Sequence, residues 1–304
     1  YVFLVILLTY STEELRASDG LSINTKGGVY IHKMEKSDLN SDILLNNEKL
    51  LTIEYKNNFF LLYGIPYNSP LGENNLKIKI NSNISYLNFN IQDKSFDTQH
   101  INVSSKYISP GIDSQKRISL ERKNLIKAKD IWHNESPDLK FIIPANGIIT
   151  GKFGTKRFYN GKEGNFHNGL DVAAKRGSPI ISPSRGKVIL TGNYYYNGKF
   201  IILDHGKGLK SIFIHLDEIL VKKGEIISKG DLIGKIGNTG KSSGPHLHWS
   251  LMLNKTYIDP EYFLENRIID YFSLKLEWIH SRIDYTLKRR GKMPQYVIER
   301  EIPG

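Results

Sequence analysis

Short apolar runs broken by turn clusters dominate the pattern along this chain. Between residues 21 and 105 the runs are Gly28-Val-Tyr-Ile-His32, Leu51-Thr-Ile-Glu-Tyr55, Phe59-Phe-Leu-Leu-Tyr63, Leu76-Lys-Ile-Lys-Ile80 and Tyr86-Leu-Asn-Phe-Asn90, with Asn, Ser, Gly and Pro between them. Strands at that spacing predict a small antiparallel, Ig-like β-sandwich. The period changes over 106–140, where Ile118, Leu125 and Trp132 recur every seven residues with Ile126 and Ala128 beside them and basic residues around. That predicts a one-sided linking helix over about 112–132. From Ile142 to about residue 265 strand patterns return, punctuated by frequent glycines, and predict a second, compact β-sheet domain. Beyond it, over 266–304, Ile268, Phe272, Leu276, Ile279, Ile283 and Leu287 keep three-and-four spacing, and Lys288-Arg-Arg-Gly-Lys292 closes the run. This predicts an amphipathic, basic helical tail that docks on the body of the protein or touches an anionic surface. The fold class expected is therefore mainly β, with a linking helix and a helical tail.

Composition narrows the chemistry. With no cysteine in 304 residues, a metal must be held by His, Asp or Glu, and a thiol nucleophile is excluded. The net charge is +11, and residues 141–265 alone carry 17 Lys and Arg against 10 Asp and Glu. Such a surface favours an anionic partner or plain solubility without choosing between them. Nucleic acid is not expected, because no recognised binding motif accompanies the charge. The opening Tyr1-Val-Phe-Leu-Val-Ile-Leu-Leu-Thr-Tyr10 is too short to span a bilayer but suits the apolar core of a secretory signal. Residues 1–20 are accordingly expected to be a truncated signal or anchor, and the protein to be exported to the periplasm or cell envelope.

The chemistry-bearing stretch is Gly244-Pro-His-Leu-His-Trp-Ser-Leu-Met-Leu253. Alternation predicts a half-buried strand with His246, His248, Ser250 and Met252 on one face and Leu247, Trp249, Leu251 and Leu253 on the other. Alone, the two histidines suit an exposed edge strand at least as well as a metal site. His167-Asn-Gly-Leu-Asp171 adds a histidine and a carboxylate four apart, which converge on one cation if Gly169 lets the backbone fold back. Two imidazoles and one carboxylate are the ligand count of a catalytic zinc site, which keeps one position open for water. In Ser211-Ile-Phe-Ile-His215 alternation sets His215 on the face of Ser211 and Phe213, as a candidate acid or base. His32 and His100 are expected to be exposed and inert, His133 an exposed helix-end residue, His205 a turn hydrogen-bonding residue and His280 a packing residue of the tail.

At these residues the chain resembles the lysostaphin-like (LytM-type) zinc metallopeptidases that cut peptide cross-links in peptidoglycan. The resemblance runs through Phe153-Gly154, His167-Asn-Gly-Leu-Asp171, Gly186-Lys-Val188, Asp204-His-Gly206, His215-Leu216, Gly230-Asp-Leu-Ile-Gly234, Gly237-Asn-Thr-Gly240, Gly244-Pro-His-Leu-His-Trp249 and Asp259-Pro260, in family order. Gly64-Ile-Pro66, Pro70-Leu-Gly72 and Arg117-Ile-Ser-Leu-Glu121 resemble the exported Gram-negative members. The resemblance implies a peptidase domain over 141–265 with His167, Asp171 and His248 as Zn2+ ligands. It makes His215 and His246 the pair that handles protons and steadies the oxyanion, and peptidoglycan stem peptides the substrate. Specificity for the bond cut is expected to lie in loops such as Arg157-Phe-Tyr-Asn-Gly-Lys-Glu-Gly-Asn165. The resemblance also implies a different outcome for members that have lost ligands, which bind the wall and activate other hydrolases. Phe213 departs from the tyrosine of many relatives, which on the alternation above removes a hydroxyl from the polar face.

Overall fold

The computed structural model describes residues 23–38, 41–265 and 267–277. The expected signal segment, His280 and the basic end of the tail lie outside the described residues.

Two small antiparallel sheets occupy the N-terminal part. One pairs Val29–Met34, Asn58–Gly64 and Leu51–Tyr55; the other pairs Glu48–Lys49, Ile43–Leu45, Gly72–Ile80 and Asn83–Ile91. Strand alternation divides the three-stranded sheet cleanly. Tyr30, Met34 and Leu61 face the four-stranded sheet and share a core with Ile43, Leu76, Ile78, Leu87 and Ile91. The opposite face, Val29, Ile31, Leu51, Ile53, Phe60 and Leu62, belongs to the main core of the molecule. A sheet buried on both sides cannot be separated from the C-terminal half without exposing that second face.

Helix α1, Ile112–Asp130, is shorter than the periodicity predicts, and Ile131 leaves it with extended backbone. Trp132 therefore lies beyond the helix rather than on its apolar stripe. Ala128 is buried and Leu125 partly so, against Ile189, Phe200, Ile202 and Ile212, so α1 covers one face of the large sheet. Its polar end is pinned too: Arg117 donates to the Asn193 carbonyl at 2.9 Å, and Glu121 accepts from the Tyr195 backbone N–H at 2.8 Å.

The large sheet is ten-stranded. Its main order is Ile226–Ile227, Gly186–Tyr194, Gly198–Gly206, Leu209–Ile219, His246–Leu253, Leu170–Ala173 and Ile148–Gly151; Leu232–Ile236, Pro179–Ile181 and Thr256–Ile258 join at its sides. A separate small sheet, not foreseen from the pattern, sets Thr98–Ile101 parallel to Lys156–Tyr159, which in turn pairs with Lys162–Glu163. A stretch N-terminal to α1 is thereby built into the second half of the protein. After Phe263 a second helix, α2, spans 267–277. Ile268, Phe272 and Leu276, four residues apart, are buried in the main core, with Phe272 packed on Phe60 at 5.0 Å between ring centroids.

Candidate metal centre

The expectation of a half-buried strand at 246–253 requires correction, because every residue after His246 is buried. Leu247, Trp249, Leu251 and Leu253 enter the main core as alternation predicts, while His246 and His248 on the other face line a cleft of about 1060 Å³. Asp171 lies directly opposite His248 in the antiparallel register, and Ala173 opposite His246. Cross-strand neighbours on one face approach closely, so strand pairing alone brings carboxylate and imidazole together. His167 enters from the segment just before that strand. Gly169 matters here for space: a Cβ there would stand 2.4 Å from the Trp249 carbonyl and 2.9 Å from His248 Nε2.

The three side chains converge. His167 Nε2 is 3.0 Å from Asp171 Oδ1 and 2.8 Å from His248 Nδ1, which is itself 2.8 Å from Asp171 Oδ1. Their remaining polar atoms are committed elsewhere. His167 Nδ1 lies 2.8 Å from the Lys152 carbonyl, which can only accept, so this nitrogen carries the hydrogen and Nε2 presents a lone pair. The Ser250 hydroxyl donates to Asn168 Oδ1 at 3.4 Å and accepts from His248 Nε2 at 2.8 Å, leaving His248 Nδ1 bare. Arg157 holds the other carboxylate oxygen, Asp171 Oδ2, at 2.5 Å and donates through Nε to Gln99 Oε1 at 3.1 Å. Two lone pairs and a carboxylate oxygen thus crowd one point with no proton left to place between them, a donor set that fits a cation. Burial lowers His248 to about 4, which keeps it neutral, with opposing contributions from Asp171.

His215 and His246 stand beside this group, with ring centroids 4.9 Å apart and His215 6.3 Å from His248. The face expected for His215 is corrected. Phe213 pairs with Trp249 and is fully buried in the main core, whereas Ile214 pairs with His248 on the cleft side. Simple alternation would drive His215 into the core after Phe213. Instead the strand is irregular here and His215 adopts φ +69°, which turns its ring back to the cleft. The same placement disposes of the missing tyrosine hydroxyl: position 213 does not face the site. His215 Nδ1 donates to the Thr239 carbonyl and His246 Nδ1 to the Gly244 carbonyl, each at 2.8 Å, which frees both Nε2 atoms. Burial, with the neighbouring His246 and His248, pushes His215 down to about 3, so it is neutral at pH 7.

The other described histidines lie outside this group. His205 is buried in a strand rather than at a turn, donating from Nδ1 to the Arg185 carbonyl at 2.7 Å, with Nε2 2.8 Å from Ser211 Oγ. His133 is not an exposed helix end: Nδ1 lies 2.6 Å from the buried Asp204 carboxylate. His32 is half-buried against the Tyr30 hydroxyl, and His100 is exposed and stacked on Phe158 at 4.9 Å. Sequence reasoning does not reach Arg157, Gln99, Thr239 and Ser250 as partners of the site. Three of them carry a signal: Arg157 opens the loop expected to set specificity, Thr239 lies in the Gly237-Asn-Thr-Gly240 motif and Ser250 shares the strand face of His248, whereas Gln99 carries none.

Comparison with known proteins agrees with this geometry. Residues 165–260 match the model described as Peptidase family M23. Peptidoglycan DD-endopeptidase ShyA of Vibrio cholerae is 42% identical over 87 residues, 29% of this chain and 20% of that protein. Peptidoglycan DD-endopeptidase ShyB of the same organism is 39% identical over 93 residues, 31% of this chain and 22% of that protein. The match thus spans about a fifth of the length of these relatives. A crystal structure assigned to peptidase M23 from Pseudomonas aeruginosa superposes with a TM-score of 0.66 at 29% identity, covering 80% of this chain and 96% of that one. The likeness extends well outside the matched segment, and the converging His167, Asp171 and His248 lie within it: residues 165–260 are similar to the peptidase domain of family M23.

Proposed function

We propose that this protein is an exported zinc endopeptidase that hydrolyses peptide cross-links of peptidoglycan. The observation that carries the reading is the crowding of His167 Nε2, His248 Nδ1 and Asp171 Oδ1 with every alternative hydrogen-bond role already taken. These three residues would hold the ion. Bound there, zinc would polarise the scissile carbonyl and make water a competent nucleophile near neutral pH. The chain's own contribution is orientation and proton traffic. His215 and His246 present bare Nε2 atoms to the cleft, one neutral through burial, and so can accept a proton from the attacking water and return it to the departing amine. Once protonated, either ring stabilises a negatively charged oxygen of the tetrahedral intermediate. We read the two small N-terminal sheets as an Ig-like sandwich that packs on the second half of the protein, while the cleft is lined only from Gln99 onward.

The names of the relatives support the substrate class, and the basic surface suits a polymer whose stem peptides carry free carboxylates. The test is to purify the chain, measure bound zinc and follow release of new amino groups from isolated cell wall. Stoichiometric zinc and amine release, both lost in His248→Ala, are expected. A protein that binds wall without zinc, and only stimulates a second hydrolase, would overturn the reading.

A further inference from the structure

One cation in the cleft is unaccounted for by the metal centre. Lys241 lines the same cleft as His167, His246 and His248 and is half-buried. Its ammonium lies over the Tyr159 ring, 3.2 Å from the centroid, and among the described residues it has no carboxylate or carbonyl partner. The carboxylates lining the cleft do not serve it. Asp171 faces the imidazoles and Arg157, and Glu163 makes no ion pair with it. Arg157 is no substitute, since its guanidinium is spent on Asp171 and Gln99. Burial first, and then the charge of Arg157, lowers the Lys241 pKa, so the ammonium is held where it is under-solvated and lies near a second cation. An aromatic face offsets only part of that loss.

The position is also fixed relative to the chemistry. Lys241 sits in the loop that supplies the Thr239 and Gly244 carbonyls to His215 and His246. The loop is clamped at Gly240, with φ +71°, where a Cβ would meet the Gly198 nitrogen at 2.3 Å. The Lys241 N–H donates to the Tyr196 carbonyl at 2.8 Å. A desolvated ammonium without an acceptor, rooted two residues from one site histidine's carbonyl partner and three from the other's, matches a ligand anion delivered with the substrate.

We propose that Lys241 is a specificity-determining residue that binds a free carboxylate lying beside the amide to be cut. This deepens the endopeptidase reading and rests on it. The zinc-loaded full chain should be given synthetic cross-linked peptide dimers in which the carboxylate next to the scissile amide is either free or amidated. Wild type is expected to favour the free acid by about 10- to 100-fold in kcat/KM, the range set by a charge-assisted hydrogen bond. Lys241→Met should lose that preference through KM, and Lys241→Arg should keep most of it. Zinc content and melting temperature of Lys241→Met, with Lys241→Gln as a second variant, keep misfolding apart from lost recognition. Equal discrimination by wild type and Lys241→Met overturns the proposal. Should wild type cut neither dimer, the endopeptidase reading fails, and calorimetric binding of the two dimers then decides Lys241 separately: tighter binding of the free acid only when Lys241 is present supports it, and indifference to the carboxylate overturns it.

Discussion

Replacing Arg157 with methionine tests whether the residues around the three converging side chains set the metal centre. The guanidinium lies 2.5 Å from Asp171 Oδ2, with side-chain exposures of 10% and 8%, so the pair is poorly solvated. Removing one partner of such a pair costs about 3–5 kcal/mol when the remaining charge is stranded. Here the carboxyl can take a proton in the metal-free protein and methionine refills part of the volume, which brings the expected loss to about 2–3 kcal/mol. For a chain of this size that lowers the melting temperature by roughly 3–5 °C. With metal present a second effect enters, because Asp171 is no longer held with Oδ1 toward the imidazoles, and loss of such a supporting contact weakens metal binding by about 10- to 100-fold. Competition with a chromogenic chelator gives the zinc affinity, and thermal melts with and without zinc give the stability. Lysine in place of Arg157 should fall between wild type and methionine, since a single ammonium cannot serve Asp171 and Gln99 together. Unchanged zinc affinity in Arg157→Met, alongside a lowered melting temperature, would show that Arg157 only supports the fold and refute the reasoning.

The same geometry sets three other outcomes. His248→Ala should abolish zinc binding and turnover, while His246→Ala or His215→Ala should keep most of the metal and lose turnover; zinc retention by His248→Ala but not by His246→Ala would mean the two roles are exchanged. Ser250→Ala, which removes the acceptor of His248 Nε2, should weaken zinc binding about tenfold as measured by chelator competition. His205, lowered to about 4 chiefly by burial, should make stability depend on pH. Its folded value lies below its unfolded value of about 6.5, so its contribution is complete above that pH and declines as pH falls toward 4, by about 3 kcal/mol in all. Urea unfolding of wild type and His205→Gln over this range should give curves that converge toward pH 4, and parallel curves would count against it.

Many strands could be read from the chain because they bury one set of alternate residues, and the two-residue period is plain in stretches such as Leu51–Tyr55 and Gly72–Ile80. The three converging residues were legible for a related reason. Asp171 and His248 sit at matched positions of neighbouring strands, and His167 is held to Asp171 by a four-residue spacing. Pattern could not supply anything decided by partners distant in sequence. The strand Thr98–Ile101 carries little periodicity of its own and forms because Lys156–Tyr159 offers it an edge. His133 gave the signal of an exposed residue because its partner, Asp204, lies 71 positions away. The end of α1 was misplaced for the opposite reason: Trp132 fits the heptad spacing, yet it packs against Gly208 outside the helix.

His215 shows why face assignment from alternation is weakest where function is strongest. A regular strand would carry Phe213 and His215 to one side, and the depth of Phe213 in the core would then leave the imidazole without a cleft to face. Left-handed backbone at a non-glycine residue costs about 1–3 kcal/mol, and it persists here because contacts on both flanks fix it. Phe213 is locked opposite Trp249, Leu216 is paired to both Lys199 and Ile236, and the His215 N–H and Nδ1–H reach the Asn197 and Thr239 carbonyls. The loop that accepts from the ring is itself tied down, with the Thr239 hydroxyl donating to the Leu216 carbonyl. The strained conformation is therefore determined by residues on either side of His215 and by a loop more than twenty positions later, and it is this combination, rather than the histidine's own neighbours, that places its ring in the cleft beside His246 and His248.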